Sequence, residues 1–295
     1  MTTTLGPPPA LIGAPTPRAI RIRTRFWRLA LVVVGAAAGF AVVWTHPDRG
    51  HESWYAWAAL GTMLGGVSGW SFGSGIARYR DVVALQPVRA IRILPALVLM
   101  GLSVGVALAL YFVVVGPSVI AQGLALAGVS GVGALPVGAA VVAIRVLSID
   151  GVVGTAGRRL DSLLRLRRLL SSLNAMFGML VVSVTLYMAA QRLLASEKEV
   201  PASLVIYTGV AAAVVVASVY LPTAAVLRRR CRMFIDEEFS LDNVDREHLI
   251  QAAEDRHRLE VLLGLHRTTL AELQNALVIV APLLAGAGSA LLSVF

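Results

Sequence analysis

Hydrophobic residues in this chain gather into seven long runs, and arginines crowd alternate gaps between them. The runs lie near 29–45, 54–76, 93–115, 118–144, 169–190, 203–227 and 273–293. A helix rises about 1.5 Å per residue, so each run can cross ~30 Å of hydrocarbon, with flanking residues completing the shorter first one. Water is absent at that depth, and helices satisfy every backbone donor and acceptor internally. The pattern predicts an all-α polytopic membrane protein of approximately seven transmembrane helices with amphipathic cytoplasmic helical extensions. It divides the chain into a basic tail (1–28), a six-span bundle with its loops (29–227), a helical insert (228–272) and a seventh helix (273–295).

The cations fall on one side of these runs. The tail carries Arg18, Arg21, Arg23, Arg25 and Arg28, the second gap four arginines, the fourth gap six and the sixth gap eight. Only Arg49, Arg192 and Lys198 remain for the other side. By the positive-inside rule the N-terminus is expected in the cytoplasm and the C-terminus outside, in an integral protein of a bacterial plasma membrane. Arg18–Arg28 before an apolar run reads as an uncleaved signal anchor, and the prolines between Pro7 and Pro17 as an extended tail.

Composition agrees. The chain is 57% hydrophobic and 15% charged, with a mean hydropathy of +0.76, where soluble domains carry about a quarter charged residues. The net charge of +9 is explained by topology, so the lipid bilayer is the expected partner and nucleic acid is not. The single cysteine, Cys231, excludes an intrachain disulfide and sits in a run of arginines that can lower a thiol pKa.

Packing signals are clearer than chemical ones. Gly61, Gly65, Gly69 and Gly73 recur every four residues in the second run, a face for close helix packing or a pore interface. Gly35/Gly39 and Gly101/Gly105 repeat the spacing. Gly133, Pro136 and Gly138 make the fourth run the candidate for a hinge, because proline removes a backbone donor.

The candidate polar positions within or beside the runs are Gln122, Asn174, Glu272 and Asn275. None is a carboxylate at membrane centre, which weakens proton coupling. In the insert, Leu249, Arg256, Leu259, Leu263 and His266 follow helical spacing and form a candidate surface for a partner helix. The DREH and EDRH stretches place His248 and His257 nine residues apart, on opposite helix faces, so no metal is expected. Leucines from Leu160 to Leu170, interleaved with arginines, predict an amphipathic helix lying on headgroups or against a partner helix. There is no GxSxG elbow, phosphate loop or dinucleotide fingerprint, and no cofactor or catalytic residue is expected.

The expectation is a channel or transporter for a small ion or solute. The alternative is a noncatalytic scaffold, or an accessory subunit, in a homo-oligomer or larger membrane-protein complex. A glycine face suits both, and so does a docking insert.

Overall fold

The computed structural model describes residues 17–45, 52–114, 117–194, 202–239 and 248–265. Among them the regular elements are α-helices: α1 (Pro17–Trp44), α2 (Glu52–Leu85), α3 (Ala90–Val114), α4 (Pro117–Asp150), α5 (Ala156–Leu194), α6 (Ala202–Glu238) and α7 (Leu249–Leu262). The expected run at 273–293 lies outside the described residues, as do His266, Glu272 and Asn275.

Among the described residues, four helices contain stretches long and apolar enough to cross a membrane: Phe26–Trp44, Gly128–Asp150, Ala156–Gln191 and Ile206–Glu238. Ala90–Val106 is a shorter apolar stretch. The second expected run, 54–76, is helical but is not among the four. Its tryptophans, serines and glycines lower its hydropathy. Being enclosed by α1, α4 and α5, α2 presents little surface that must be compatible with lipid.

The outer surface is apolar and the interior partly polar. Ile91, Leu94, Val98, Leu102 and Val106 form an exposed stripe at helical spacing along α3. Inside, Ser68, Ser148, Ser183, Thr185 and Thr223 are buried, and each hydroxyl donates to the carbonyl one turn earlier in its own helix. An apolar exterior of this extent is a liability in water and the natural contact surface for hydrocarbon.

Glycine sets the α1–α2 seam. A Cβ on Gly35 would overlap the Gly65 carbonyl oxygen, and one on Gly39 the Gly61 oxygen. A Cβ on Gly65 would overlap the Gly35 oxygen, and one on Gly69 the Leu31 oxygen. Gly61 and Gly73 face side chains instead, with a Cβ meeting Val43 Cγ2 at 2.5 Å and Leu31 Cδ1 at 2.9 Å. Backbone-to-backbone approach supplies dispersion contact that side chains would prevent.

The opposite side of α2 meets α4 in the same manner. A Cβ on Gly133 would lie 2.7 Å from the Ser68 carbonyl oxygen, and one on Gly75 2.8 Å from the Val137 nitrogen. A Cβ on Gly138 would approach Met100 Sδ of α3 at 2.7 Å. α4 runs as one helix through Pro136. Gly133, Pro136 and Gly138 are therefore packing points on an uninterrupted helix.

Toward the arginine-rich end α5 and α6 are longer than ~30 Å of hydrocarbon requires. The 39 residues of α5 span roughly 58 Å. Residue 228 is not a break, because α6 continues to Glu238. Leu163, Leu166, Leu169 and Leu170, expected on headgroups or a partner, are buried with Leu227, Phe234, Ile235 and Leu263 of the same chain. The extension of α6 offers them an apolar surface, so they pack internally.

Arg159 fastens that end, its guanidinium bonding Glu237 at 2.5 Å and Glu238 at 2.8 Å and lying over the Phe234 ring. α7 folds back against it and stops in a glycine turn. Gly264 has φ of +60°, its N–H donates to Val261 O, and the Leu265 N–H donates to Glu260 O. That pair of bonds is a Schellman motif, which glycine enters without a Cβ penalty.

Candidate functional site

A mostly apolar chamber of about 400 Å³ lies between α3, α4, α5 and α6, with Leu64 of α2 at one edge. It exists because glycines in α3 and α4 face nothing. Gly101, Gly128 and Gly131 have no heavy atom of another element within 4 Å of a would-be Cβ among the described residues. Phe177, Val181 and Tyr187 of α5 and Thr208, Ala212 and Val215 of α6 form the facing wall.

No charged side chain borders the chamber among the described residues. Its polar groups, Ser130, Tyr187, Tyr207 and Thr208, gather toward the end away from the arginines. Apolar walls with a few polar groups at one end fit an amphiphilic or apolar molecule. They do not replace the hydration shell of a bare ion, which needs rings of carbonyls or charges.

One turn beyond Tyr187 on α5, Gln191 is 3% exposed, and its Oε1 has no hydrogen-bond partner among the described residues. A buried amide oxygen without a partner loses its hydration with no return. Asn174 is half-buried on α5 with an Oδ1 in the same condition among the described residues. Gln122 lies in α4, with its side chain outside the described set.

The other sequence candidates lie apart from the chamber. Gly61, Gly65, Gly69 and Gly73 face α1 of the same chain. Arg256 bonds Asp236 at 2.6 Å and the Phe239 carbonyl at 3.3 Å, joining α7 to α6. Leu263 is 2% exposed in the core, and Leu259 packs against that core. Leu249 opens α7, with its side chain outside the described set.

Cys231 is buried on the extension of α6, past the apolar stretch that ends at Leu227. Burial pushes its thiol up to about 11, against the opposing effect of the Arg167 charge. Desolvation wins, so the arginine run does not make it a reactive thiolate. Glu237, on the same extension, is held below the usual carboxylate range by its hydrogen bond from Arg159.

The chamber residues of α5 and Gln191 were not singled out by sequence reasoning. Phe177 and Val181 sit in an unbroken apolar run that does not mark which face borders a void, and Gln191 falls just past the run ending at 190. No family model, no curated protein and no solved structure matches the chain.

Proposed function

We propose that the protein is a membrane transporter or channel whose solute is apolar or amphiphilic, with the chamber between α3, α4, α5 and α6 as its binding site. The observation that carries this reading is the uncharged chamber of about 400 Å³, a size that suits a small organic molecule. Gln191 extends it, because its Oε1, without a partner among the described residues, lies one turn past the chamber wall, where a solute hydroxyl or amide N–H can donate to it. In this reading the chain crosses the bilayer seven times, with the arginine-rich end and N-terminus in the cytoplasm and the C-terminus outside. The charge asymmetry of the sequence supports that route.

The scaffold alternative has less to draw on. Its expected docking face in 228–272 turns Arg256, Leu259 and Leu263 toward their own chain.

The test is saturable binding and flux of a panel of neutral amphiphiles in sealed proteoliposomes, set beside ion fluxes. Gly131→Leu places a side chain in the chamber and should lower amphiphile binding about tenfold or more while the protein stays folded. Ion flux without amphiphile binding, or equal binding by a folded Gly131→Leu protein, would overturn the reading.

A further inference from the structure

A second cavity, of about 420 Å³, lies at the arginine-rich end between α5, α6 and the last turn of α7. It is separate from the chamber. Along α5, the chamber residues Leu180, Val184 and Tyr187 and the cavity residues Leu164, Arg168 and Ser171 occupy roughly opposite helical faces.

The cavity is strongly cationic. Arg167, Arg168 and Arg228 border it, with the hydroxyl-bearing Ser171 and Tyr220, and no carboxylate does among the described residues. Other arginines nearby are matched: Arg159 with Glu237 and Glu238, Arg165 with Asp161, Arg256 with Asp236. Arg167 and Arg168 form no ion pair among the described residues. Among the described residues Arg167 reaches a neutral acceptor, Gly264 O at 3.5 Å. Charge-assisted bonds from a guanidinium fork to an oxyanion are roughly twice as strong as bonds to such neutral carbonyls.

The floor of the cavity is apolar, built from Leu170, Leu227 and Leu263. It lies where the apolar part of α6 gives way to Arg228, the level at which headgroups meet a spanning helix. We propose that the cavity binds a phosphate group, supplied by the headgroup of an anionic lipid or by free phosphate. Arg167 and Arg168 of α5 hold the phosphate oxygens, and the apolar floor accommodates the carbon atoms nearest a lipid phosphate. Because the last turn of α7 also borders the cavity, a bound phosphate ties that helix to α5 and α6.

The experiment uses the full chain in nanodiscs of phosphatidylcholine, with and without phosphatidylglycerol, and counts retained lipids by native mass spectrometry. Wild type should retain phosphatidylglycerol about tenfold over phosphatidylcholine, and R167Q/R168Q should lose that preference. R165Q, whose arginine pairs with Asp161 instead, should keep it. Protease protection of α7 by millimolar inorganic phosphate in phosphatidylcholine discs would identify free phosphate as the source. Protection by phosphatidylglycerol alone would identify the lipid. No preference and no protection in wild type, or wild-type retention by a folded R167Q/R168Q protein, would overturn the proposal. Should the double variant misfold, the exposed single site R168Q carries the same comparison, with at least a partial loss expected.

Discussion

Glycine is used in opposite ways at the α1–α2–α4 seams and around the chamber. Toward α2, Gly133 brings its backbone against Ser68, and beyond it Gly35, Gly39, Gly61 and Gly65 bring α1 and α2 together. Toward α3 and α6, Gly101, Gly128 and Gly131 meet nothing within 4 Å among the described residues, and the missing side chains become the chamber. Spacing does not separate the cases, because Gly101/Gly105 keep the four-residue period of Gly61/Gly65. What differs is the neighbour. α1 can close on α2 because it offers glycines at matching heights, whereas α5 and α6 present Phe177, Tyr187 and Val215, which hold the helices apart.

Substitution should break this contrast most strongly at the seam. Gly65→Leu forces a side chain into the Gly35 backbone and should cost more than ~3 kcal/mol, read as loss of the folded band in detergent unfolding. Gly264→Ala puts a methyl both at the positive φ that ends α7 and onto the Arg167 guanidinium, and should cost about 1–3 kcal/mol and speed proteolysis of α7. Acidification separates the ends of the molecule. Glu237 has a carboxyl pKa depressed in the folded state, so its contribution is complete above the ordinary carboxylate range and is lost as pH falls through the depressed value. Hydrogen exchange at the α5–α6 extension should therefore rise in acid, while the seam, built from glycine, leucine and valine, stays unchanged. Gly101→Ala should change stability by no more than ~0.5 kcal/mol, because the added methyl enters open space. A large effect there would mean that the chamber is closed in the membrane.

Much of the fold was legible because lipid and water impose strict rules. The six apolar runs that fall in the described residues are helical, and the absence of strands there follows from the same demand for internal hydrogen bonding. The glycine period announced close packing but not its partner, since a sequence period names a face and never what lies opposite. The leucines of 160–170 show the same limit: their stripe fits headgroups or protein equally well, and only the unforeseen extension of α6 decides for protein. The chamber was illegible for a related reason. A void is a property of several helices at once, and Phe177 or Val181 alone carries no sign of it.

α5 is unbroken from Ala156 to Leu194, and it carries both Arg159 at one end and Tyr187 in the chamber wall. A straight rod pinned near Arg159 behaves as a lever. A tilt of about 3° at that pivot displaces the backbone near Tyr187 by roughly 2 Å over ~42 Å of helix. A tilt of α5 set at the arginine-rich end would therefore change the width of a chamber about 40 Å away.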